Sequence, residues 1–103
     1  MPDAGPAVSA KARQIHDSAI VIDTHADTPQ RFLDEGFDIG TVTPVSKGNI
    51  DLQKVRQGNL GAEFFSIWVE PGYFDGHYAR RALDLIDSVH QQVGNHPGQM
   101  MMA

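Results

Sequence analysis

The stretch Ile20-Val21-Ile22-Asp23-Thr24-His25-Ala26-Asp27-Thr28-Pro29 decides how the rest of the chain is read. Three β-branched apolar residues run straight into carboxylate, hydroxyl and imidazole groups, the pattern of a buried strand emerging at the edge of a sheet. Side chains two apart on a strand share a face, so His25 and Asp27 project together, with Asp23 on their side one pleat deeper as a support. One imidazole nitrogen and one carboxylate converging on a point make half of a site for zinc or a similar divalent ion. Thr28 as N-cap and Pro29 at the first helical position start a helix at once. His-x-Asp therefore sits at the C-terminal end of a strand in a βα unit, where α/β barrels keep their chemistry. The competing reading is a strand-end histidine hydrogen-bonded to a capping aspartate, and the tripeptide alone does not separate the two.

Working outward, residues 1–6 carry no pattern and are expected to be loose. A short helix over residues 8–16, with Ser9 as its cap, closes off the bottom of a strand over residues 19–23. That strand is nearly all apolar, which suits a parallel strand covered on both faces. Downstream, a two-turn helix from Pro29 ends at Gly36, and residues 37–48 read as an irregular loop. Asp51 then caps a second short helix that Gly58 stops. A second strand over residues 61–69 alternates Ala62, Phe64, Ser66 and Trp68 on one face with Glu63, Phe65, Ile67 and Val69 on the other. Both faces are largely apolar, which again predicts a strand covered by helices. Asp75 is the expected cap of a long helix to about Val93, with Ala79, Ala82, Leu83, Ile86, Val89 and Val93 as its buried stripe and an Arg80–Asp84 pair on its solvent side. A β-α-β crossover then joins the two strands in parallel.

Composition narrows the function. The 103 residues, 41% of them apolar, support one modest core. A net charge of −5 without a basic run gives no footprint for nucleic acid or for an anionic membrane surface. With no cysteine, any metal must be held by His, Asp or Glu. Neither a secretory signal nor a membrane-length apolar run is visible, so a cytoplasmic setting is the expectation. The end of the chain, Gln99-Met100-Met101-Met102-Ala103, reads as cut before a further element.

Few other residues compete for a site. His16 lies beyond the far end of the first strand and reads as a surface residue, His90 as a packed edge of the long helix, and His77 and His96 as solvated flanks. Glu70 and Tyr73 directly follow the second strand, on the rim that carries His25 and Asp27, where a substrate would be touched. A catalytic zinc generally takes three protein ligands and a water, and this chain offers two.

The ordered segments Val21-Ile22-Asp23-Thr24-His25-Ala26-Asp27-Thr28-Pro29, Gly48-Asn49-Ile50-Asp51-Leu52, Arg56-Gln57-Gly58 and Gly61-Ala62-Glu63-Phe64-Phe65-Ser66-Ile67-Trp68-Val69 together resemble the opening of the membrane (renal) dipeptidase family of zinc metallopeptidases. The resemblance runs from about Ser18 to Val93. It implies the first two βα units, residues 18–99, of a (β/α)8 TIM barrel of the metal-dependent hydrolase type, preceded by an N-terminal segment, residues 1–17, and followed by a truncated tail, residues 100–103. It further implies two zinc ions per complete enzyme, dipeptide substrates hydrolysed by a metal-activated hydroxide, and His25 and Asp27 as ligands of the first zinc. The family's bridging glutamate, in a Gly-x-Glu-Gly-Gly-His segment, has no counterpart here, nor do its further histidines and catalytic aspartate. At most a partial metal site and no catalytic residue are thus expected in the chain, which alone should be inactive.

Two rivals stand beside this. One is another amidohydrolase-type metal hydrolase acting on lactones, cyclic amides or phosphoesters, against which the run of matched segments argues. The other is a non-catalytic fragment. Two strands leave an open edge on each side, so self-association through those edges is also expected.

Overall fold

A computed structural model describes residues 7–103, and the expected looseness of residues 1–6 falls outside them. Helix α1 (Ala10–Ser18) starts where Ser9 accepts a hydrogen bond from the Ala12 N–H at 3.1 Å, the cap its sequence predicts. No residue of α1 is buried. Polar contacts attach it instead: Arg13 donates to the Gln57 carbonyl, His16 Nε2 lies 2.6 Å from the Gly58 carbonyl oxygen, and the Asn59 amide donates to the His16 and Ala19 carbonyls at 3.0 and 3.1 Å. His16 is exposed as expected, but its ring nitrogen is engaged. Asn59 holds φ at 55°, a left-handed turn that the asparagine side chain tolerates.

Strands β1 (Val21–Ala26) and β2 (Leu60–Phe65) pair in parallel as a two-stranded sheet. Between them the chain runs through α2 (Pro29–Asp34), an irregular loop and α3 (Leu52–Gln57); α4 (Tyr78–Asn95) follows β2. Gly36, at φ 62°, ends α2 in the left-handed conformation. β1 extends three residues past the expected strand and so takes in His25, whereas β2 ends at Phe65.

The core is Phe32, Phe37, Ile39, Leu52 and Val89, with Phe65 and Ile67 packed against it. Phe32 stacks with Phe37 at 6.1 Å between ring centroids and meets Phe65 edge-on at 6.0 Å. The alternation along β2 holds: Phe65 and Ile67 face the helical layer, while Phe64 and Trp68 remain 63% and 44% exposed. The expected covering of both sheet faces does not. Ile22, one of the apolar residues that suggested a strand buried on both sides, is 52% exposed. The residues clustered with Phe65 and Ile67 come from α2, the loop, α3 and α4, so the helices occupy one side only.

Five further expectations are corrected. Asp75 does not cap α4; Gly76, at φ 80°, turns the chain first, His77 occupies the cap position without a side-chain bond, and Asp75 accepts from the Tyr78 hydroxyl. The buried stripe of α4 is Arg81, Leu85, Ser88, Val89 and Gln92, and Leu83 and Ile86 are exposed. Three polar residues enter that stripe because each finds a partner: Arg81 on Asp34, Ser88 on the Leu85 carbonyl at 2.6 Å, and Gln92 on the Ile39 N–H at 2.9 Å. The ion pair of α4 therefore runs to α2 through Arg81, and Arg80 is left exposed. Lastly, His96 is not solvated; its Nε2 lies 2.8 Å from Asp38 Oδ1. His90, expected on a packed edge, is exposed.

Candidate functional site

His25 and Asp27 stand at the C-terminal end of β1, where the ladder is irregular. Asp23 pairs with Glu63 and Ala26 with Phe65, three residues apart on β1 against two on β2. One extra β1 residue is accommodated between Asp23 and Ala26, the kind of bulge that re-aims a side chain next to a site. It also interrupts the strict alternation that would have put Asp23 directly behind His25. Asp27 follows the strand, and its carbonyl accepts from the Gln30 N–H at 3.2 Å in the first turn of α2. Thr28 occupies the N-cap position, without the side-chain bond its type suggests, and Pro29 is at N1.

His25 Nε2 and Asp27 Oδ1 approach to 3.2 Å, and the two side chains are 66% and 55% exposed. Two nitrogen or oxygen ligands on a tetrahedral zinc, each at about 2.05 Å, stand about 3.3 Å apart. The observed separation fits two corners of such a centre. A third ligand does not join them: among the described residues no three His, Asp or Glu side chains are grouped closely enough to hold a metal ion.

Asp23 makes a different contact. Opposite it on β2 is Glu63, whose two carboxylate oxygens are shielded from solvent and find no donor. Burial, and then the neighbouring Asp23 carboxyl group, push the Glu63 carboxyl up to about 7. Nothing in the spacing of Glu63 marks it in advance, since it sits in an otherwise apolar strand 40 residues from its partner.

Glu70 and Tyr73 line a notch of about 310 Å3 together with Gln30, Asp34, Phe74 and Arg81; His25 and Asp27 do not line it. The larger cleft, about 900 Å3, is apolar, runs between β2, α4 and residues 97–103, and includes neither His25 nor Asp27.

The sequence model for membrane dipeptidase (peptidase family M19) matches residues 9–103. The chain belongs to the membrane dipeptidase family. No curated relative and no solved structure matches it. Membership makes the chain part of a peptidase family, that is, of hydrolases, and the membrane dipeptidases are in general zinc-dependent. The mixed α/β arrangement of a small parallel sheet with helices agrees with that family's fold class. No helix among the described residues is long and apolar enough to cross a membrane.

Proposed function

We propose that this chain supplies the first zinc-ligand pair, His25 and Asp27, of a zinc-dependent dipeptidase built on a (β/α)8 barrel. The observation that carries the reading is the 3.2 Å approach of an imidazole nitrogen and a carboxylate oxygen at the C-terminal end of a parallel strand, in a chain of this family. Zinc bound there would supply a Lewis acid and lower the pKa of a coordinated water. The chain's own part is to present two donors, an imidazole nitrogen and a carboxylate oxygen, on a rim continuous with α2. An acid for the departing amine is also needed, and none of the described residues is assigned that role. The proposal includes a cytoplasmic setting.

Two donors bind zinc weakly compared with three. Calorimetric titration should give a dissociation constant near the millimolar range, with binding lost in His25→Ala; identical isotherms for the two proteins would remove the assignment. A dipeptide hydrolysis assay with added zinc should show no turnover above buffer for the isolated chain, and turnover would contradict the two-ligand reading. Association of copies belongs to the same proposal, because among the described residues each strand of the two-stranded sheet has one unpaired edge. Light scattering should show species larger than a monomer; a clean monomer argues against it.

A further inference from the structure

The notch beside the metal rim has an electrical character of its own. Arg81, 9% exposed, donates from both terminal nitrogens to the Asp34 carboxylate at 2.9 Å, and its guanidinium carbon lies 4.5 Å from the Phe74 ring centroid. The two charges cancel each other, which leaves Glu70 as the uncompensated charge of the notch; Glu70 takes part in no ion pair among the described residues. Arg81 Nε is shielded from solvent and has no acceptor. Tyr73, 78% exposed, also lines the notch.

The walls are held in place. The Gly72 N–H donates to the Tyr78 hydroxyl at 3.3 Å, and that hydroxyl donates to Asp75, which secures the loop bearing Glu70 and Tyr73. Gln30 and Asp34 are one turn apart on α2, and Gln30 bonds back to the Asp27 carbonyl. The notch therefore adjoins the rim where His25 and Asp27 meet. Its volume, about 310 Å3, suits one amino-acid residue with a long side chain.

We infer that this notch is a subsite for the basic residue of a lysine- or arginine-containing dipeptide, with Glu70 as counter-charge to the side-chain cation and Tyr73 beside it. The inference rests on the hydrolase reading above and names a substrate class for it. The test is an NMR titration of the metal-free chain with Gly-Lys, with the neutral near-isostere Gly-norleucine, and with Gly-Glu. Gly-Lys should bind about three- to fivefold more tightly than Gly-norleucine at low salt, as befits one solvent-accessible charge pair. Gly-Glu should bind most weakly, the resonances of Glu70 and Tyr73 should move most, and Glu70→Gln should erase the preference. Equal affinities, a preference that survives Glu70→Gln, shifts centred elsewhere, or no binding at all would overturn it. The zinc titration of wild type against His25→Ala is read separately. Its failure sinks the hydrolase reading without touching a Gly-Lys preference, and loss of that preference leaves the metal pair standing.

Discussion

Two aspartates of this chain occupy opposite circumstances. Asp51, at the start of α3, is 0% exposed, accepts from the Lys54 N–H at 2.9 Å and the Thr43 N–H at 3.2 Å, and also takes the Lys54 ammonium. Burial alone would raise its carboxyl, yet these donors and the adjacent positive charge hold it below the ordinary carboxylate range. Asp27, at the end of β1, is 55% exposed and has His25 as its close partner. A carboxylate whose acceptor sites are filled from its own fold builds architecture. One left open on a rim has capacity for something from outside. The difference is one of satisfaction, since both residues follow or begin a short element and both sit among polar neighbours.

The contrast can be broken most directly at Asp51. Asp51→Ala leaves the Lys54 and Thr43 N–H groups without their acceptor and the Lys54 ammonium with only the Thr43 carbonyl, and should cost about 3 kcal/mol in denaturant unfolding, with the zinc isotherm unchanged. Because the folded-state pKa of Asp51 is lowered, its stabilisation is full above the ordinary carboxylate pKa and is lost as pH falls through the lowered value. The gap between wild type and variant should narrow in strong acid. A gap of constant size down to pH 2 would show that packing, not the ion pair, is what the substitution removes.

Glu63 sharpens the comparison from the other side, as a shielded carboxyl without a donor. Its folded-state pKa, near 7 against 4.5, means that the folded chain keeps a proton the unfolded chain has released. Stability should therefore decline as pH rises from about 4.5 to 7 and stay reduced above that. Glu63→Gln should raise stability at pH 8 by on the order of 2 kcal/mol and do little below pH 4. Equal gains at both pH values would place the effect outside titration.

The smallest stability effect belongs to the rim. Asp27→Asn should shift unfolding free energy by less than about 0.5 kcal/mol, as for an exposed side chain, while weakening zinc binding at least about tenfold. A large loss of stability would move Asp27 into the same class as Asp51.

What sequence made legible follows from local signals. The β1–α2 junction, Ser9, Asp51 and Gly36 all act within a few residues of themselves, and each was readable from its neighbours. The alternation of β2 correctly divided Phe65 from Phe64, but the apolar content of both faces said nothing about whether a second layer would be present. The true stripe of α4 is hidden in the sequence because Arg81, Ser88 and Gln92 count as polar until their partners are known, and two of those partners, Asp34 and Ile39, lie about fifty residues away. Phe37 and Ile39 lie in a loop, as their sequence suggests, yet both are buried because Gln92 gives that loop the hydrogen bonds a neighbouring strand would otherwise provide. The Asp38–His96 pair, separated by 58 positions, left no local trace.

The extra residue that β1 carries between Asp23 and Ala26 makes the aim of the imidazole a matter of parity. Removing one residue from Asp23-Thr24-His25 would match the strands locally, two steps against two, leave the earlier shift between Val21 and Ile22 without its counterpart, and turn every later side chain of the strand through half a revolution. Length at this point is therefore a tighter constraint than residue type: threonine can be exchanged for another amino acid, but it cannot be dropped without swinging the histidine and its aspartate together to the other face.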